Sequence, residues 1–269
     1  MARIALLTQH AKGPAMQGLA ARLGHDLILA EGFDTDSLGT FTNERSRTGT
    51  QVEAALAKAR LACELTGAEF GLGSEGSFGP DPHMGTAAWG VEVVVCFDAA
   101  SGQHVHAAAQ GPSTNYRQAS VSSWPQASAF AEQIGFPGHG LIVGRPGEAW
   151  FDKELGSMEA LKTHAAPAFL QQGELWLETD MRAHRNPTRM AMIEAAAEAL
   201  AARWLQGCPA CAAPGFGPIR LIPGALCECC AYPTGAAKAQ LLACAVCGHE
   251  QAAPIRATVP AQRCEMCNP

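Results

Sequence analysis

Four Cys-x-x-Cys pairs lie between residues 208 and 267: Cys208-Pro-Ala-Cys211, Cys227-Glu-Cys-Cys230, Cys244-Ala-Val-Cys247 and Cys264-Glu-Met-Cys267. Each pair forms a tight turn that offers two thiolates to one ion, and two pairs complete a tetrahedral set of four sulfurs. The four pairs therefore supply two metal sites. Their ligands are Cys208, Cys211, Cys227, Cys230, Cys244, Cys247, Cys264 and Cys267. Cys229 is left as a spare, with a Cys227/Cys229 pair as the alternative. The gaps between pairs are 15, 13 and 16 residues. Sequential pairing gives two separate ribbons and is the expectation favoured by chain order; alternate pairing gives a cross-braced unit. Two structural zinc ions are the expected occupants, with iron–sulfur chemistry as the alternative. A ligand set made only of cysteine leaves no open coordination position, which argues for structure over catalysis. Ile219–Pro223 and Gln240–Ala243 are expected to be the short strands of the ribbons. So few large apolar residues occur here that metal binding is expected to supply much of the folding free energy.

The other two of the chain's 11 cysteines, Cys63 and Cys96, stand alone in apolar surroundings. This clustering fits metal ligation in a reducing compartment better than a secreted disulfide framework. MARIALLTQH at the N-terminus lacks the apolar run and cleavage site of a signal peptide, and no run of eighteen apolar residues occurs. A cytoplasmic protein with no membrane partner is expected. The 269 residues suit a larger domain over 1–206 and a zinc-binding module over 207–269. From Gly207 onward four Arg/Lys face three Asp/Glu. Eight thiolates and two divalent ions add a charge of about −4, leaving about −3. A phosphate backbone asks for the opposite sign, so nucleic acid is not an expected partner. A protein partner, or docking to the larger domain, suits the module better.

The first two hundred residues alternate strand-like and helix-like segments, which predicts an α/β domain with a mixed sheet flanked by helices. Strands are expected at Ile4–Leu7, Asp26–Ala30, Val91–Phe97, Gln103–Ala109, Gly140–Val143 and Leu175–Glu178, with a short one ending within Gly71–Ser74. Helices are expected at Ala15–Leu23, Ala127–Ile134 and Ser157–Gln171. Thr50-Gln-Val-Glu53 is a capping-box pattern and opens a helix to about Thr66. Asn186-Pro187 opens a long helix whose apolar stripe is Met190, Ile193, Ala197, Leu200 and Trp204.

Three polar stretches exceed what packing asks for. Thr8-Gln-His10-Ala-Lys12-Gly13 follows the first strand, where α/β folds bind anions, and Lys12 is suited to a phosphate. Asp34, Asp36 and Glu44, with Gly73-Ser-Glu75-Gly76, set carboxylates in polar and Gly-rich segments, which suits Mg²⁺. Glu178-Thr-Asp180-Met-Arg182-Ala-His184-Arg185-Asn186-Pro-Thr-Arg189 gathers three arginines and a histidine at a helix start. Cations there oppose the helix dipole, so an anionic ligand explains them better than helix stability does. Pairing of these arginines with Glu178 and Asp180 is the competing explanation.

Two resemblances follow from these residues. The Asp34–Thr42 stretch, Gly73-Ser-Glu75-Gly-Ser-Phe, the Glu178–Arg189 stretch and the cysteine pairs together look like an uncharacterised bacterial family. Its members join an α/β domain to a C-terminal zinc-ribbon-like tail. The first eighty residues also resemble the inosine/xanthosine triphosphate pyrophosphatases. The shared features are Thr8 and Lys12 after strand one, Glu44-Arg-Ser-Arg47-Thr-Gly49 before a helix carrying Lys58, and the acidic turn at Glu75. That family's Asn in the first loop and its Ser-His-Arg signature are missing, so the Asp180–Arg189 cluster would stand in for the latter. The resemblance implies a Mg²⁺-dependent hydrolase of a nucleotide or other phosphorylated small molecule. In it Glu44 and Glu75 hold metal with Asp34 or Asp36, and Lys12, Arg182, Asn186 and Arg189 bind phosphate. Asp180 or His184 positions water or carries a proton. The competing expectation is a non-enzymatic adaptor that contacts protein or RNA through the zinc module while the α/β domain senses an anion.

Overall fold

The computed structural model describes residues 1–30, 49–82, 84–144, 151–171 and 173–268. Asp34, Asp36 and Glu44 lie outside the described residues. The chain divides into two compact units, Met1–Leu200 and Ala201–Pro269.

The first unit begins with β1 (Arg3–Leu7), α1 (Gly13–Leu23), β2 (Asp26–Ala30), α2 (Gln51–Thr66), β3 (Phe70–Pro80), β4 (Ala88–Asp98) and β5 (His104–Gly111). The strands form one sheet in the order β2-β1-β3-β4-β5. β1 runs parallel to β2 and β3, and the β3–β4 and β4–β5 pairs are antiparallel. The mixed α/β class expected from the sequence is therefore the class observed.

α2 starts at the capping box as expected: Glu53 N–H donates to Thr50 Oγ1 at 3.2 Å, and Thr50 N–H donates to Glu53 Oε2 at 2.7 Å. Its buried face is built from small residues, Ala55, Ala59, Ala62 and Cys63. They let the helix lie close on β3, where Gly71 and Gly73 face it. A methyl group at either glycine would overlap the carbonyl oxygen of Ala59 or Ala55. This close approach explains glycines that cost strand propensity.

β3 is also the largest departure from the expected elements. In place of a short strand ending within Gly71–Ser74, eleven residues pair without a break against β4. Side chains alternate between its faces. Gly71, Gly73 and Glu75 look toward α2. Ser74, Gly76 and Phe78 look the other way, toward Lys12 and Arg189.

The unit continues with β6 (Gln118–Val121), α3 (Trp124–Ile134), β7 (Leu141–Gly144), β8 (Phe151–Asp152), α4 (Met158–Gln171) and β9 (Leu175–Thr179). These strands make a second, antiparallel sheet in the order β6-β9-β7-β8. α3 and α4 bury Phe130, Ile134 and Leu161 against Leu141, Leu175 and Leu177. β6 and β8 were not expected; they are short, and β6 is mostly polar or small. After a 3-10 turn at Ala183–Arg185, α5 (Pro187–Trp204) begins, with Ile193, Ala197 and Leu200 buried along its stripe. Glu198 of α5 pairs with Arg22 of α1 at 2.8 Å, so the two helices run on the same side of the first sheet. No helix among the described residues is long and apolar enough to cross a membrane.

The second unit holds β10 (Gly217–Pro223), β11 (Leu226–Cys227), β12 (Ala237–Ala243), β13 (Glu250–Pro254) and β14 (Thr258–Val259). β10, β12 and β13 form an antiparallel sheet, and β11 pairs with β14 in parallel. The expected ribbon strands at 219–223 and 240–243 fall within β10 and β12.

Candidate metal centres and a buried polar cluster

Each of the first three cysteine pairs adopts the same turn. The second residue after the first cysteine donates its N–H to that sulfur at 3.4 Å: Ala210 to Cys208, Cys229 to Cys227, Val246 to Cys244. The residue after the second cysteine has positive φ: Ala212 60°, Ala231 58°, Gly248 72°. Its N–H closes the turn onto the carbonyl of the first cysteine. Two alanines thus accept left-handed strain so that both sulfurs point inward.

These turns meet in two clusters, Cys208/Cys211/Cys244/Cys247 and Cys227/Cys230/Cys264/Cys267, each with all four sulfurs within 4.8 Å of one another. The closest sulfur pairs are 3.7 and 3.7 Å in the first cluster and 3.8 and 3.7 Å in the second. A tetrahedron with metal–sulfur bonds of about 2.3 Å has edges of about 3.8 Å. Each cluster is therefore dimensioned for one ion. Pairing is alternate: the first cysteine pair joins the third and the second joins the fourth. This corrects the expectation of two sequential ribbons. The reason lies in the strands, because the antiparallel β10–β12 pairing brings Cys208 and Cys211 beside Cys244 and Cys247. Cys229 is exposed and belongs to neither cluster. The thiols are tuned unequally. N–H groups of Cys247 and Val246 hold Cys244 down at about 6, and those of Cys230 and Cys229 hold Cys227 at about 7. Neighbouring sulfurs of Cys230 and Cys227 push Cys267 well above the ordinary thiol range. A bound cation removes that conflict by drawing all four into the thiolate form.

The second site lies in the first unit, on the face of β3 that looks away from α2. Lys12 is the N-cap residue of α1, where no side chain caps the helix. Its side chain is buried, and its ammonium donates to Ser74 Oγ at 2.9 Å. Asn186 caps α5, its Oδ1 accepting the Arg189 N–H at 3.0 Å. Arg189 is buried; its Nε donates to Glu92 Oε1 at 2.6 Å, another of its nitrogens reaches the Met181 carbonyl, and its guanidinium lies 5.4 Å from the Phe78 ring. Glu92 pairs in register with Gly76, where a methyl group would overlap Glu92 Oε1. Above them the His10 and His184 rings stack at 5.2 Å. Burial pushes His10 down to about 3, helped by Lys12, His184, Arg189 and Arg182, so this ring is neutral at ordinary pH. Lys12 is pushed down to about 7 by burial and then by Arg189. The cluster therefore joins two helix N-termini, two buried cations, Lys12 and Arg189, and one buried carboxylate, Glu92.

A family model described as a domain of unknown function, DUF6671, matches residues 58–269. The chain belongs to that family. No curated protein and no solved structure matches it. The match spans Glu75, Glu92, His184, Arg189 and all eight cluster thiols, and begins after His10 and Lys12.

Sequence reasoning brought Lys12, His184, Asn186 and Arg189 forward, and the structure places them together. Glu75 sits apart from them. The strand's alternation turns it to the α2 face, where it pairs with Lys58. Arg182 is occupied as well: it donates to Asp180, to Glu154 at 2.9 Å and to the Lys153 carbonyl. Asp180 is fully buried and accepts the Arg182 N–H at 2.9 Å. The competing explanation, in which these arginines pair with acids, thus describes Arg182 and Asp180; Glu178 accepts a hydrogen bond from Trp176 at 3.2 Å. His10, Ser74 and Glu92 were not singled out. Glu92 sits in an apolar run, Val91-Glu-Val-Val-Val-Cys96, and a charge inside a buried strand was the available signal.

Lys12 makes stability depend on pH. An unfolded lysine keeps its proton to about 10.4, whereas folded Lys12 releases it near 7. Below pH 7 both states carry the proton and the full burial cost is felt. Between 7 and 10 the unfolded state binds more protons, so stability rises with pH. Urea denaturation should show Lys12→Met more stable than wild type at pH 6, by on the order of 3 kcal/mol. The gap should shrink steadily toward pH 10, and a gap independent of pH would count against this account.

Proposed function

We propose that the first unit binds a phosphorylated small molecule, such as a nucleotide, and hydrolyses it, and that the second unit is a structural zinc module. Lys12 carries the first part. A buried ammonium with no carboxylate partner among the described residues, bonded to one neutral hydroxyl at an uncapped helix start, is costly unless an anion completes it. The free N–H groups of α1 add donors for the same anion. Exposed His184, stacked on His10, marks a side from which a ligand can approach.

Magnesium fits the described residues poorly. Glu75 and Glu92 lie on opposite faces of the sheet, each bonded to its own cation, and do not converge on one ion. No step is therefore assigned to Mg²⁺. Zinc is favoured in the clusters because four sulfurs this close fit one tetrahedral ion. A polynuclear iron–sulfur cluster would hold the four cysteine sulfurs further apart. A cytoplasmic location suits thiols kept reduced for metal.

The test is release of phosphate or pyrophosphate from a panel of nucleoside di- and triphosphates and phosphorylated sugars, with and without Mg²⁺. Turnover on at least one member is expected, with Lys12→Met lowering kcat/KM by roughly 100-fold through lost charge-assisted bonds. No release from any member would overturn the hydrolase reading.

A further inference from the structure

Glu92 is fully buried. Arg189 satisfies its Oε1, while Oε2 accepts no hydrogen bond from the described residues. A buried carboxylate oxygen without a donor costs about 1–3 kcal/mol or more. Lys12 has the complementary deficit. An ammonium carries three donors, and among the described residues only Ser74 Oγ receives one. The register places both groups on the same face. Glu92 stands opposite Gly76, and Ser74 is the next residue of β3 pointing that way. Two residues along a strand span about 6.7 Å. A single oxygen with two hydrogen bonds of about 2.8 Å bridges heads up to about 5.6 Å apart, and both side chains reach toward this one stretch of the face. No direct ion pair closes the gap, although Glu92 is among the charges that Lys12 feels.

The two ends select what fits between them. A phosphate oxygen would be repelled by Glu92 and a cation by Lys12. A neutral oxygen that takes a hydrogen bond from one and gives a hydrogen bond to the other suits both. That describes water or a hydroxyl group.

We propose that Glu92 Oε2 and Lys12 Nζ hold one such oxygen between them, and that it is the water consumed in hydrolysis. The catalytic half of this rests on the hydrolase reading above; the bridged oxygen does not. In the step, the water oxygen forms a bond to phosphorus and its proton passes to Glu92 Oε2. The bond from phosphorus to the leaving phosphate or pyrophosphate oxygen breaks, and its electron pair departs with that oxygen. Glu92 then returns the proton to solvent. Lys12 faces the charge that builds on the phosphoryl group. Glu75, locked to Lys58 behind the strand, takes no part.

Two measurements on the full-length, metal-loaded chain decide it. A high-resolution crystal structure should show an oxygen within hydrogen-bond reach of both Glu92 Oε2 and Lys12 Nζ, lost in Lys12→Met. An empty gap overturns the proposal whatever the activity. On any substrate the wild type hydrolyses, Glu92→Gln should lower kcat by about 100-fold or more, with KM little changed and the acidic limb of the pH profile gone. Wild-type kcat and pH profile in a folded Glu92→Gln would remove Glu92 as the base. If Glu92→Gln does not fold, the crystal structure still decides. If the wild type hydrolyses nothing, the hydrolase reading falls, and the crystal structure alone judges the bridged oxygen.

Discussion

Removing metal with a strong chelator should abolish ordered structure in residues 201–269 while residues 1–200 stay folded. The apolar interior of that unit is thin: Phe216, Ala225, Leu241, Leu242 and Val259, beside the buried ligands Cys208, Cys227, Cys244 and Cys264. At about 25 cal/mol per Å² such a core falls short of the entropy of ordering so many residues. A structural zinc ion supplies about 10–16 kcal/mol in small cysteine modules, so two ions dominate the balance. Elemental analysis should find two zinc ions per chain, and amide exchange should show protection lost on chelation. An apo tail that keeps its protection would refute the account. The pairing gives a sharper outcome in metal count. Cys211→Ser with Cys244→Ser damages one cluster and should leave one ion. Cys211→Ser with Cys227→Ser damages both and should leave none. Sequential ribbons would reverse these two results.

Arg189→Met should destabilise the first unit by about 3–5 kcal/mol, the cost of stranding a buried charge. Glu92 is fully buried, and among the described residues this guanidinium is its hydrogen-bond donor. The same change withdraws the bond to the Met181 carbonyl and the contact over Phe78. Adding Glu92→Leu removes the stranded charge, so the double variant should recover much of the loss. Denaturant unfolding of the two single variants and the double variant measures the coupling. A single Arg189→Met within about 1 kcal/mol of wild type would show that the pair is not what holds this face together.

Local rules served well where local physics governs. The Thr50/Glu53 box, the Asn186 cap with Pro187 and the apolar run of β4 were all legible, because each depends on neighbours in sequence. β3 was under-read because its glycines lower strand propensity for a reason visible only with α2 in place. The cysteine spacing announced the ligands but not their partners, since alternate pairing is imposed by strands that must first find each other. In the polar cluster, residue types pointed to Lys12 and Arg189. The pleat then decided which carboxylate shares their face, and it turned Glu75 away and Glu92 toward them. Reading that from sequence would have required the start of β3 to be placed correctly, since a shift of one residue exchanges the two faces.

The interleaved clusters also govern what a broken backbone would do. An ion held in the first cluster would span every peptide bond from Cys211 to Cys244, and one held in the second would span every bond from Cys230 to Cys264. Any single scission between Cys211 and Cys264 therefore leaves its two pieces tied through at least one ion, like a rope lashed at overlapping points. A protease could nick this tail without releasing a fragment until a chelator arrived.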